Sequence, residues 1–152
     1  MPLAEATRAV GLVALVLLGM VAWLSARAVT LPSQSPDRLV AELRLAQLAA
    51  LVLAFVAGSY LGMAGAHPTL QGSGLDVALA LGFLMIGVTA PLRDPREALT
   101  ILALAFLGHA VVDLLHRPGI LPQGLAPGWY VIGCAVVNVL AGAMCYLPLV
   151  RR

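Results

Sequence analysis

Lysine is absent from this 152-residue chain, and all nine of its basic side chains are arginine. Charged residues of both signs make up only 11% of the chain and aromatic ones 5%. A soluble domain of this length needs far more polar surface to cover itself, so the shortage of charge excludes water as the main solvent. The net charge of +2 is divided among loops and no basic tract occurs, which excludes nucleic acid as a partner. Cys134 and Cys145 are the two cysteines and lie on one expected helix. At about 1.5 Å rise per residue their Cα atoms stand roughly 16 Å apart, too far to form a disulfide with each other. A CxxC pair is missing, which argues against a thiol oxidoreductase. No GxSxG elbow, HExxH pair or phosphate-cradling loop occurs either.

What the chain has is apolar length. It is 61% hydrophobic, with a mean hydropathy of +0.98. A helix needs about 20 apolar residues to cross a hydrocarbon core about 30 Å thick. Five stretches reach or approach that length, over about 9–29, 45–66, 75–90, 96–116 and 128–150. The expected fold is therefore all-α: a polytopic integral membrane protein whose five transmembrane helices form one domain over 1–152. Local punctuation supports these limits. "SPDR" (35–38) places a serine cap and a proline ahead of the second helix. "DPRE" (94–97) offers a cap, a proline and a glutamate at capping-box spacing ahead of the fourth.

The arginines orient the chain. With five spans, Arg27, Arg38, Arg44, Arg93, Arg96, Arg151 and Arg152 share one side, and Arg8 and Arg117 the other. Seven against two makes the first side cytoplasmic, so the protein is expected in the cell membrane with its N-terminus outside and its C-terminus in the cytoplasm. Trp129 and Tyr130 then belong to the outer interface, Trp23 and Tyr146 to the inner one. The competing reading is a cleaved signal peptide ending at "ARA" (26–28). It asks for a shorter apolar region and places the arginine-rich side outside.

Orientation gathers the polar residues at one depth. "GHAVVDLLH" (108–116) carries two of the three histidines and an aspartate within an apolar run. At 100° per residue, His109, Asp113 and His116 fall in a sector of roughly 60°, with His109 about 10 Å below His116. Tyr60 and Cys134 reach a similar depth from their own helix ends and Asn138 lies slightly deeper, while His67 and Asp76 border the same side. In the inner half, Gln47 is the comparable buried polar residue. A carboxylate facing lipid costs about 2.5–3.5 kcal/mol on insertion scales, so Asp113 is expected to face inward with a partner.

Three readings of this cluster stay open. Imidazole and carboxylate suit zinc, iron or copper. A single ion would use Asp113 with His109 or His116 and recruit His67, Asp76 or Cys134. Alternatively, Asp113 orients a histidine for acid–base chemistry, with Asp113 and His109 as the catalytic pair. In the third reading, a buried hydrogen-bonded pair pins the fourth helix and does no chemistry. Cys134 also fits a small buried hydrophobe, and His67, before a proline in a loop, a solvated side chain.

Small residues mark expected contacts. Ala50, Ala54, Gly58, Gly62 and Ala66 recur every fourth residue and should let another helix approach closely, within the bundle or from a second copy. Cys134, Asn138, Ala141, Gly142 and Cys145 form a similar face on the fifth helix, where Asn138 is expected to bond across to another helix, the Asp113 cluster being one candidate.

Residues 108–138 resemble the tail of an uncharacterised family of small bacterial multipass membrane proteins. Its pattern is GHxxWDxxHH, a proline-containing outer loop with an aromatic pair, and a helix with cysteine and aspartate. Gly108, His109, Asp113, His116, Trp129, Tyr130 and Cys134 match. Val112 stands for the tryptophan, Arg117 for the second of the paired histidines and Asn138 for the aspartate. The resemblance covers roughly a fifth of the chain and implies a site without naming its chemistry. The expected function is metal binding or proton-coupled chemistry on a lipidic substrate at an outward-opening site. The alternative is a non-catalytic subunit that docks another membrane protein or a second copy in the bilayer.

Overall fold

The computed structural model describes residues 3–66, 74–116 and 125–151. His67, Arg117 and Arg152 lie outside the described residues. The helices are α1 (Leu3–Thr30), α2 (Pro36–Ala66), α3 (Gly74–Thr89), α4 (Pro95–Leu115) and α5 (Gly128–Val150), with a 3₁₀ turn at Ala90–Leu92 after α3. All five are long and apolar enough to cross a membrane. With no strand among the described residues, the chain is an all-α polytopic membrane protein.

The bundle shows large apolar side chains outside, among them Leu15, Leu51, Phe55, Met85, Leu104 and Val136. In a bilayer this costs nothing, because lipid tails are as apolar as leucine. The interior is instead organised by small residues and hydrogen bonds. The most extensive pairing is α4 with α5, and α2 touches every other helix. Among the described residues α1 packs only on α2 and α5, while α3 packs on α2 and α4.

Close approach occurs at two glycines. A Cβ placed on Gly87 would lie 3.1 Å from the Ala50 carbonyl oxygen and 3.3 Å from the Ala54 amide nitrogen. One on Gly142 would lie 3.2 Å from the Ala103 carbonyl oxygen. This corrects the expected stripe on α2. Its Ala50–Ala54 half packs, against Gly87, but Gly58 and Gly62 have nothing within 4 Å of an added Cβ. A repeat of small residues permits close packing all along its length, and where contact forms depends on the partner also being small.

The end of the bundle where α5 finishes is tied by polar contacts. Pro148 lies inside α5 and has no N–H for the Met144 carbonyl one turn back. Ser25 Oγ of α1 donates to that carbonyl at 2.7 Å. Arg38 is buried and donates to the carbonyls of Pro148 (2.8 Å), Arg151 (2.7 Å) and Leu31 (3.4 Å). Its Nε also pairs with Glu42 at 2.9 Å, and the other Glu42 oxygen meets Arg96 at 3.3 Å. Gln47, expected to be the buried polar residue of this half, is exposed. The carbonyls of interrupted helix ends require donors, and Arg38 and Ser25 meet that need where Gln47 does not.

Candidate functional site

α4 starts where its sequence directs: Asp94 accepts from the Arg96 amide and Pro95 opens the first turn. Glu97, at capping-box spacing, pairs with Arg93 at 3.0 Å. Five turns on, the helical period turns His109 and Asp113 inward, where Asp113 has 0% exposure and His109 2%.

Asp113 ties three helices together. Tyr60 of α2 donates its phenol to Oδ1 at 2.6 Å. Asn138 of α5 donates from Nδ2 to Oδ2 at 3.1 Å, and His109 Nδ1 lies 3.3 Å from the same oxygen. Phe83 of α3 packs its ring on His109 with centroids 4.7 Å apart. Asn138 Nδ2 is also 3.1 Å from His109 Nδ1 and 3.4 Å from Cys134 Sγ. One amide nitrogen, with two hydrogens, therefore faces three acceptors. His109 Nδ1 either accepts from Asn138 or, when protonated, donates to Asp113. Asn138 Oδ1 is buried with no partner among the described residues. His109, Asp113 and Cys134 each offer a ligand atom, and these atoms all lie within 4.8 Å of one another.

His116 does not join them. Its Nδ1 donates to the Val112 carbonyl at 2.8 Å, and its Nε2 lies 2.9 Å from Asp76 Oδ1 on α3. The expected set of His109, Asp113 and His116 is thus divided: the first two meet Cys134, and the third meets Asp76. A shared helix face sets direction alone; at the last turn the His116 ring is held by its own backbone and by the neighbouring α3.

Tyr60 reached the right depth in the sequence, but its direct bond to Asp113 was not foreseen. The available signal was a phenol on an apolar helix, whose hydroxyl needs a partner when buried. Tyr130 of α5 similarly shares a hydrogen bond with Ser59 of α2.

Two cavities border the cluster. One of about 380 Å³ lies between α1, α2 and α5, with Ser59, Tyr130 and Cys134 on its wall. The other, about 10 Å³, lies between α2, α3 and α4 and is walled by Tyr60, Asp76, His109 and His116 together with apolar side chains. Comparison with protein-family models, curated proteins and solved structures found no match.

Proposed function

We propose that this protein binds a transition metal ion, zinc foremost, between His109, Asp113 and Cys134 and uses the site on a lipidic substrate. The convergence of those three ligand atoms within 4.8 Å carries the reading. Zinc takes nitrogen, oxygen and sulfur ligands at about 2.0–2.3 Å, so a modest inward movement would suffice. Asn138 Nδ2 now faces the three ligand atoms, and a turn of its amide would bring the unpartnered Oδ1 to that side as a fourth ligand. One divalent ion would balance the Asp113 carboxylate and a Cys134 thiolate, leaving the buried site neutral. Bound there, zinc would act as a Lewis acid or lower the proton affinity of a bound hydroxyl.

The larger cavity supports a lipidic substrate. Its rim residues Val10, Val13 and Phe55 are exposed on the outside of the bundle, and Cys134 is on its wall. An alkyl chain could therefore approach the site sideways from the bilayer. The arginine split supports an orientation with the N-terminus outside, the C-terminus cytoplasmic and this site in the outer half of the cell membrane. Within the resemblance to the bacterial family, His109, Asp113 and Cys134 are the matching residues that come together.

One observation favours a metal-free reading. Asn138 Nδ2 already faces all three acceptors at 3.1–3.4 Å. In that reading the cluster handles a proton, or only pins α4 to α2 and α5 in a non-catalytic subunit. Metal analysis of purified protein, free of tags and chelators, separates the two. A metal site predicts near-stoichiometric metal, lost in Asp113→Asn and His109→Ala, and a cobalt–thiolate absorption band lost in Cys134→Ser. Less than about a tenth of an equivalent of metal, with no uptake of added zinc, iron or copper, would remove the metal reading.

A further inference from the structure

Ser59 and Tyr130 line the cavity of about 380 Å³ between α1, α2 and α5, and the hydrogens of their hydroxyls can be counted. Ser59 Oγ lies 2.6 Å from the Val56 carbonyl oxygen, which only accepts, so the serine hydrogen is engaged there. The hydrogen bond between Ser59 Oγ and the Tyr130 hydroxyl then needs the phenol hydrogen. Both hydrogens are used within the protein, and the pair offers the cavity only lone pairs. Cys134, the buried polar group on the same wall, adds no more than a weak donor. Thr7 and Trp129 complete the polar wall and are both exposed, near the starts of α1 and α5.

The shape of the cavity is a separate observation. Among the described side chains of α1, none before Val21 is buried, so this half of the helix covers the cavity loosely. Its rim at Val10, Val13 and Phe55 is open to the hydrocarbon. α2 and α5 run antiparallel, because Arg38 meets Pro148 at one end and Ser59 meets Tyr130 towards the other. Val52 and Val137 on the wall are each seven residues from the hydroxyl pair in the same direction, about 10 Å at 1.5 Å per residue. Between them and the hydroxyls the wall is mostly apolar. Cavities with such walls stay dry and take apolar ligands, and the volume falls within the range of ligand pockets, about 300–1,000 Å³.

We propose that this cavity binds a lipid alcohol, with one alkyl chain along the apolar wall and a hydroxyl that donates its hydrogen to the Ser59 and Tyr130 oxygens. Other lipid classes match less well. Ester, ether and ketone oxygens only accept and would meet lone pairs. A carboxylate would add negative charge against those lone pairs, and an ammonium would find no carboxylate on the wall to offset its own charge. A lipid alcohol would be the substrate class of the proposed function, whose lipidic reading this assignment presupposes; no bound metal is required.

The test is photolabelling of the full chain in lipid nanodiscs with hexadecanol carrying a diazirine in its chain, against the methyl ether of the same probe. The two share chain and oxygen, and only the alcohol has a hydrogen to donate. The alcohol should label wall residues of α1, α2 and α5, and the ether should label them at least about threefold less, as expected for one hydrogen bond within a membrane. Gly133→Leu should remove labelling by both. Gly133 is on the wall and an added Cβ meets nothing within 4 Å, so leucine fills the cavity without a clash. Ser59→Ala combined with Tyr130→Phe should keep the labelling and erase the preference. An ether that labels the parental wall as strongly as the alcohol would overturn the hydroxyl assignment and leave the lipidic reading standing. If neither probe labels the wall, both fall. Undiminished labelling in a folded Gly133→Leu protein would put the chain outside the cavity, and a preference that survives in the folded double variant would put the hydroxyl elsewhere; either overturns the proposal. Should a variant not fold, the parental comparison decides.

Discussion

At Asp113, a carboxylate that would be costly in lipid is held by donors from α2 and α5, and Tyr60 makes the shorter of those bonds at 2.6 Å. Hydrogen bonds to charged groups contribute about 1.5–3 kcal/mol in soluble proteins, whereas interhelical ones in membranes average about 0.6 and reach about 1.7. Tyr60→Phe keeps the ring and its contacts with His109 and Tyr130 while removing one donor. It should lower stability by about 1–2 kcal/mol in reversible unfolding from mixed micelles. An unchanged unfolding midpoint would show that Asp113 does not depend on the phenol. Legibility at this scale divides along physical lines. His109 and Asp113 are one helical turn apart, so their pairing follows from backbone geometry and could be read directly. The pairing of His116 with Asp76 depends on how α3 is rotated against α4, and no single-helix period contains that rotation. Asn138 fell between these cases: a lone amide among apolar residues needs a partner, and depth pointed to the right one.

Helix limits were legible because caps, prolines and apolar length act locally. Contact faces were less so. The small-residue stripe of α2 looked uniform, yet only Ala50 and Ala54 meet another backbone closely, because Gly87 faces them. Leucine at Gly87 or Gly142 would push side chain into backbone carbonyls 3.1–3.2 Å from the Cβ position, with no flexible atom to yield. Overpacking of this kind costs about 1–3 kcal/mol or more, so both variants should express poorly and melt early in detergent. Gly58→Leu and Gly62→Leu should melt close to the parent, since nothing lies within 4 Å. The reverse order, with the α2 variants the damaging ones, would mean that a second copy or another protein covers that face of α2 in the membrane.

Across the whole molecule, one residue bears on both topology and folding, and the two effects can be separated. Arg38 counts among the seven arginines of the proposed cytoplasmic side, yet it is buried, pairing with Glu42 and donating to carbonyls at the ends of α1 and α5. Orientation is set by the bias of positive charge between loops, and without Arg38 that bias is still six against two. Fusion reporters on Arg38→Ala should therefore read as in the parent, with the C-terminus cytoplasmic and the N-terminus outside. Stability should not survive so well. Removing one partner of a buried ion pair costs about 3–5 kcal/mol, because the other charge is left uncompensated. Arg96, at 3.3 Å from Glu42, offsets part of that. Replacing both members, Arg38→Met with Glu42→Leu, should recover some of the loss, as apolar substitutes for buried pairs often do. Recovery should stop short of the parent, since the Pro148 and Arg151 carbonyls would have lost the guanidinium that caps them. Full recovery would reduce Arg38 to a partner for Glu42, and an inverted C-terminal reporter in the single variant would mean that this one arginine, not the whole set, orients the chain.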